Sequence, residues 1–263
     1  MLKEKSIVII GGTTGLGLSA AHAFVRSGAR IVIVGRNPDS VEAALARLAE
    51  VAPGLAHGFA GDAVDPRTAA QAIERCLHHY EGFDGLYHVA GGSGRRFGDG
   101  PLHEISDEGI DQTLDLNLKS LLLSNRAAVN TFLEHKKGGA ILNLGSVLGY
   151  SPSPGHFSTH VYAAAKSAII GFTKSVAAYY ARENIRFNVI APALVETPMA
   201  QRAAQDDTIQ KFIRTKQPLD GGRIGYPEDL DELATYLLSS SSRFVTGQVI
   251  AVDGGWTVSE GQF

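Results

Sequence analysis

The 263 residues include one cysteine, one tryptophan and two methionines. The lone Cys76 excludes an intrachain disulfide and any cysteine-based metal cluster. Its amphipathic surroundings assign it to core or interface packing. Neither sign of charge dominates: 24 Lys and Arg against 27 Asp and Glu leave a net charge of −3. That balance lacks the basic footprint of a protein that binds nucleic acid or an anionic membrane surface. No apolar run approaches the roughly 20 residues of a membrane span. Met1 to Ser6 lead directly into the first apolar segment, with no secretory leader. There is no repeat, linker or low-complexity tract. What remains is a soluble cytoplasmic protein, read as one domain over residues 1–263.

Glycine is what the chain has in quantity, 30 residues of it. The informative cluster is Gly11-Gly12-Thr13-Thr14-Gly15-Leu16-Gly17. An apolar run at 7–10 precedes it and reads as a buried parallel strand. A helical stretch at 18–27 follows and stops at Gly28. A second apolar run occupies 31–34. Strand, glycine turn, helix and strand form the context of a dinucleotide fingerprint: the backbone approaches a pyrophosphate closely, and a helix start supplies free N–H groups.

The rest of the chain alternates in the same way. Further strands are expected at 55–60, 85–90, 140–145, 185–190 and 248–253. Asn37 followed by Pro38 opens a helix to about Val51. Asp65-Pro66 repeats the device for a helix to about Tyr80. Other helices are expected at 107–135, 159–183 and, opened by Pro227, 227–239. The fold class is α/β, a doubly wound Rossmann-type sheet of seven parallel strands flanked by helices.

Tyr162 and Lys166 stand one helical turn apart on one face. A fixed positive charge near a phenol favours the phenolate and lowers its pKa, so Tyr162 is a candidate to exchange protons with an alcohol or carbonyl. His156 and His160 share a metal-like spacing, but no third ligand accompanies them and no metal site is assigned. His78-His79 reads as a solvated helix end.

With glycine turn and Tyr-x-x-x-Lys both placed, the chain resembles the short-chain dehydrogenase/reductase family over nearly its whole length. Residues 10–17 are similar to the family's Thr-Gly-x-x-x-Gly-x-Gly turn, with Ile10 in place of Thr. His88-Val89-Ala90-Gly91 stands where Asn-Asn-Ala-Gly is usual, so both asparagines are absent. Ala193 replaces a common Gly after Pro192. Ser146 lies 16 positions before Tyr162, a wider spacing than is usual, with the loop Ser151-Pro152-Ser153-Pro154-Gly155 between. The resemblance implies a catalytic set of Asn117, Ser146, Tyr162 and Lys166. It implies cofactor contacts from Gly11, Thr13, Thr14, Gly15, Leu16, Gly17, Asp62, Ala63, Ala90, Gly91, Tyr162, Lys166, Pro192, Val195 and Thr197. Asn117 is expected to break its helix and hold a water linking Lys166 to solvent. A homotetramer is also implied, with Trp256 available to an interface.

The implied reaction is hydride transfer between a nicotinamide cofactor and a ketone or secondary alcohol, with Tyr162 as general acid/base and Ser146 bonding the substrate oxygen. Reduction of a 3-oxoacyl thioester on a carrier protein, and cofactor binding without catalysis, are the alternatives. The end of the second strand, Val34-Gly35-Arg36-Asn37, has no acid for a ribose 2′-hydroxyl. Arg36 offers a planar charged fork suited to a 2′-phosphate, so NADP(H) is favoured over NAD(H). Arg95 and Arg96 read either as anion contacts or as surface charges. Segments 91–101, 147–160 and 194–217 are expected to line the substrate.

Overall fold

The computed structural model describes residues 1–261 except 199, 201, 202 and 204. Seven parallel strands form one sheet: β1 (Ser6–Ile10), β2 (Arg30–Gly35), β3 (Ala56–Ala60), β4 (Gly85–His88), β5 (Gly139–Leu144), β6 (Ile185–Pro192) and β7 (Val249–Val252), in the order β3-β2-β1-β4-β5-β6-β7. The strand alternation divides the core. Ile7, Ile9, Ile31 and Ile33 point to one face, packing with Phe24, Leu48 and Leu237. Val8, Ile10, Val32 and Val34 point to the other, packing with Ile73, Phe132 and Ala177. Parallel strands covered on both faces need apolar residues at nearly every position, and these runs supply them.

Helices α1 (Gly15–Arg26), α2 (Pro38–Val51) and α3 (Thr68–Tyr80) link the first four strands. Asn37 caps α2 as its sequence suggests, accepting from the N–H groups of Asp39 and Ser40 at 2.8 and 3.3 Å. Asp65 does not repeat the device. Its carboxylate bonds the backbone and guanidinium of Arg67 at 2.8–3.1 Å, forming a turn that delays α3 to Thr68. At the other end of α3, His79 is not simply solvated: its ring stacks on His57 of β3 with centroids 3.8 Å apart.

The segment expected as one helix at 107–135 is three pieces. Helix α4 (Asp107–Leu114) passes through a π-helical turn (Asp115–Lys119) into α5 (Ser120–Glu134). Helix α6 (His160–Tyr180) runs between β5 and β6. A further helix outside the expected set, α7 (Asp207–Lys216), is capped by Asp206 through the N–H groups of Thr208 and Ile209. Pro227 opens a 3₁₀ turn (Pro227–Leu230) that becomes α8 (Asp231–Leu238). Among the described residues no helix is long and apolar enough to cross a membrane.

The strand order reverses between β1 and β4. Chain leaving β1 goes to one side of the sheet and chain leaving β4 to the other, so a crevice opens beyond their carboxyl ends.

Candidate active site

That crevice is a cleft of about 450 Å³. Its dinucleotide end is made of backbone. Gly11 has φ +89, and a Cβ there would lie 2.6 Å from Ala90 N. A Cβ on Gly17 would lie 1.9 Å from the Gly11 carbonyl oxygen, so Gly17 acts by letting α1 close onto the turn and does not itself line the cleft. The N-cap Thr14 makes no side-chain cap bond, and the first turn of α1 has no acid. The helix start therefore presents N–H groups and its positive end to the cleft, as an anionic pyrophosphate requires.

Arg36, exposed at the end of β2, lines the same end with Ser40. Gly35 leaves room for Thr13, whose Oγ1 would stand 2.3 Å from a Cβ at that position. Asp62 lines the cleft with Ala63, and one of its oxygens is already engaged by Val64 N at 3.0 Å. Thr13, Thr14, Gly15, Leu16, Ala90, Gly91, Pro192, Val195 and Thr197 complete the walls. These residues fit a nicotinamide dinucleotide.

Ser146, Tyr162 and Lys166 meet where the two ends of the cleft join. Ser146 stands in the cleft wall with Tyr162, and Leu148 N donates to Ser146 Oγ at 3.2 Å. Lys166 is buried, and its Nζ donates to the Leu144 carbonyl at 2.8 Å. Burial lowers the Lys166 pKa to about 8, still above neutral pH. The expectation that Lys166 depresses the Tyr162 pKa is not met in this geometry. Burial raises the phenol above its ordinary value, and the neighbouring Ser146 hydroxyl only partly opposes that rise. The ammonium is directed to Leu144 and sits 5.5 Å from the centre of the Tyr162 ring. Tyr162 is thus a protonated phenol at neutral pH.

Asn117 lies behind the cleft wall in the π-helical turn, fully buried. Its Nδ2 donates to the carbonyls of Gly92 and Thr113, both at 2.9 Å, and its Oδ1 accepts from Gly92 N at 3.0 Å. It breaks the helix as expected, but its amide is engaged with backbone. It is a positioning residue that ties the segment after β4 to the π turn. Nearby, His88 takes over where asparagine was absent. It is buried, with Nδ1 2.8 Å from Ser124 Oγ and Nε2 3.3 Å from Ser120 Oγ.

The substrate end is apolar. Leu148, Phe157, Ala193 and Leu194 line it together with Trp256, and all belong to or pack on one cluster with Val147, Ile209 and Ile213. Trp256 is not an interface residue. It is 1% exposed, its indole N–H donates to the Ser151 carbonyl at 3.3 Å, and it meets Phe157 and Phe212 edge to face. Its sequence context gave no cue, because its partners lie far away in the chain. Arg95 lines the cleft opposite, and Arg96 stacks on Phe97. Within 194–217, residues 199, 201, 202 and 204 lie outside the described residues. His156 packs against Phe212 at 4.4 Å. Among the described residues no group of His, Cys, Asp or Glu gathers as a metal site.

Fold and cleft together define a doubly wound dinucleotide-binding protein with a Ser–Tyr–Lys group at the meeting point of the two ends. Residues 11–257 match the family model described as enoyl-(acyl carrier protein) reductase. The chain is 31% identical over 257 residues to 2,5-dichloro-2,5-cyclohexadiene-1,4-diol dehydrogenase of Sphingobium indicum, covering 97% of this chain and 98% of that one. It is 33% identical over 256 residues to a 3-oxoacyl-(acyl-carrier-protein) reductase of Chlamydia trachomatis, with coverage of 97% and 98%. A solved short-chain type dehydrogenase/reductase from Mycobacterium ulcerans superposes with a TM-score of 0.90 at 27% identity, over 98% of this chain and 91% of that one. The chain belongs to the short-chain dehydrogenase/reductase family and is an oxidoreductase that works with a nicotinamide cofactor.

Proposed function

We propose that the protein interconverts a ketone and a secondary alcohol with NADP(H), with Tyr162 as the general acid/base. The carrying observation is the gathering of Ser146, Tyr162 and the buried Lys166, whose ammonium is held on the Leu144 carbonyl, at the junction of the dinucleotide and apolar ends. A bound reduced nicotinamide supplies the hydride. Tyr162 gives its proton to the substrate oxygen as negative charge develops there, and Ser146 donates a hydrogen bond to the same oxygen. Lys166, anchored on Leu144, keeps a positive charge beside the ring while the proton leaves. The raised Tyr162 pKa suits proton donation at neutral pH. Alcohol oxidation, which needs the deprotonated phenol, is expected to accelerate toward alkaline pH.

Leu148, Phe157, Leu194 and Trp256 favour an apolar substrate body. A neutral cyclic ketone or diol suits that wall, in line with the cyclohexadienediol named for the Sphingobium relative. The second reading is a 3-oxoacyl thioester, supported by Arg95 at the cleft and by the Chlamydia relative's name. Cofactor binding without catalysis is the weakest reading, since Ser146, Tyr162 and Lys166 all line the cleft. NADP(H) preference rests on Arg36 and on the absence of an acid at the end of β2. A cytoplasmic homotetramer remains part of the proposal. Leu122, Leu133, Tyr179 and Phe244 are 36%, 41%, 70% and 101% exposed, apolar surface that a second subunit would cover. A monomer by light scattering would remove the tetramer.

The deciding experiment is a panel of cyclic ketones, open-chain ketones and 3-oxoacyl thioesters, each with NADPH and NADH, followed by loss of reduced-nicotinamide absorbance. Turnover confined to thioesters transfers the assignment to the second reading. Tight NADPH binding without turnover of any ketone or thioester favours the third.

A further inference from the structure

Helix α6 carries Tyr162 in its first turn, yet its own N-cap, Thr159, makes no side-chain cap bond. The cap comes from far away in the chain. Asp99 Oδ1 accepts from Val161 N at 3.0 Å, and Oδ2 accepts from Tyr162 N at 2.8 Å. Asp99 is 3% exposed. A buried carboxylate bridging two otherwise unpaired helix N–H groups is a strong, charge-assisted arrangement, and it sits at the positive end of the helix dipole.

Asp99 is itself held firmly. Its N–H donates to the Gly94 carbonyl at 3.2 Å, as does that of Phe97 at 2.8 Å. Gly94 has φ +74, and a Cβ there would lie 2.5 Å from Thr113 Oγ1 and 2.8 Å from Asp99 Cβ. The segment is therefore pressed onto α4, two residues from where Asn117 grips Gly92. The same segment sets Ser93 and Arg95 in the cleft wall. One short stretch thus touches the substrate space and holds the backbone of the proton donor.

We propose that Asp99 is a positioning residue for the proposed reaction: it caps α6 from the substrate-side loop and thereby fixes where the Tyr162 phenol stands. The inference rests on Tyr162 being the general acid, and its test separates the two claims. Asp99→Asn keeps one acceptor oxygen and removes the charge; Asp99→Ala removes both bonds. With NADPH and an accepted ketone, kcat is expected to fall about tenfold in the Asn variant and about a hundredfold in the Ala variant, the scale of a small misplacement of a reacting group. NADPH affinity, read by fluorescence of the bound dinucleotide, should stay within about twofold, because Asp99 does not line the dinucleotide end. Hydrogen exchange at the Val161 and Tyr162 amides should accelerate at least tenfold in Asp99→Ala and less in Asp99→Asn. The exchange readout needs no substrate.

Wild-type kcat in Asp99→Ala, or unchanged exchange at both amides, overturns the proposal. So does a kcat loss in Asp99→Asn as large as that in Asp99→Ala, because the partial cap then restores nothing. If Asp99→Ala fails to fold, Asp99→Asn carries the test through its own kcat loss and amide exchange. Tyr162→Phe is measured beside them. Full turnover there refutes the general-acid reading whatever Asp99 does, whereas an inactive Tyr162→Phe with a fully active Asp99→Ala refutes only the positioning role.

Discussion

At the dinucleotide end of the cleft the walls are contributed mostly by neighbours in sequence: residues 11 and 13–16, then 35–37, then 61–63. At the substrate end they are side chains from widely separated segments, Arg95, Leu148, Phe157, Leu194 and Trp256. The first end must approach a ligand whose shape does not vary, so it is built from a turn that tolerates no side chain. The second end sets which molecule is accepted, and it is held by long-range contacts such as the Trp256 indole on the Ser151 carbonyl, 105 residues away in the chain. Between the ends stands the proton-transfer group, bonded to both: Lys166 to the β5 backbone, and the Tyr162 amide to Asp99.

The largest expected effect falls on that junction. Tyr162→Phe should lower kcat by about 10²- to 10⁴-fold, the usual contribution of a general acid. Folding and dinucleotide affinity should change little, because the ring still packs. Lys166→Ala should lower both turnover and cofactor affinity, since its buried ammonium serves both ends. If Tyr162→Phe turned over an accepted ketone at the wild-type rate, the junction would lose its meaning.

Two glycine substitutions sharpen the contrast between the ends. Gly17→Ala places a methyl 1.9 Å from the Gly11 carbonyl oxygen, so α1 must move off the turn. A loss of about 1–3 kcal/mol in stability is expected, with dinucleotide binding weakened at least tenfold in a fluorescence titration. Gly155→Ala, on the substrate-side loop, meets no atom within 4 Å and should stay within about 0.5 kcal/mol of wild type by thermal melting. Equal costs at the two positions would break the comparison.

The same contrast explains what could be read from the sequence. Strands, sheet class and the glycine turn were legible because buried parallel strands and a pyrophosphate cradle impose local patterns. The gathering of Ser146, Tyr162 and Lys166 at one cleft was legible because each sits beside a recognisable motif. The Asp99 cap was not, since a single Asp between Gly98 and Gly100 carries no local signal and its partners are 62 and 63 residues away. The break at Asn117 was anticipated, yet its partners Gly92 and Thr113 were not, because a bond to backbone leaves no trace in residue type. Helix α7 was missed although Asp206 caps it, because its flanks resemble loop sequence. Lys166 was expected to act on Tyr162 through space; its bond to Leu144 follows from how deeply α6 packs, which spacing alone does not encode.

Arg36 tests the dinucleotide end without touching the chemistry. Arg36→Ala should weaken NADPH binding by about ten- to a hundredfold, the value of one charge-assisted contact, and leave NADH binding nearly unchanged. Raising the salt concentration should weaken wild-type NADPH binding in the same direction, because the contact is exposed. Tighter wild-type binding of NADH, or an equal loss for both cofactors in the variant, refutes phosphate recognition by Arg36.

The smallest effect concerns His88, buried at the end of β4 behind the cleft. Its ring is buried between Ser120 and Ser124, and burial with the nearby Lys166 charge lowers its pKa from 6.5 to about 3. A depressed folded-state pKa means that the unfolded chain binds more protons between those two values. Stability from this group is therefore fully present above pH 6.5 and is lost progressively as pH falls toward about 3. His88→Asn keeps a polar side chain facing the two serines but cannot titrate there. It should melt a few degrees below wild type near neutral pH, for a cost of about 1 kcal/mol. That gap should narrow as pH falls below about 7, close near about pH 6 and reverse at lower pH, since only the wild type loses the histidine contribution, about 1.4 kcal/mol for each pH unit below the unfolded pKa. The carboxylates common to both proteins cancel in the difference. A gap that stays constant across the range would show that His88 is not held neutral between Ser120 and Ser124.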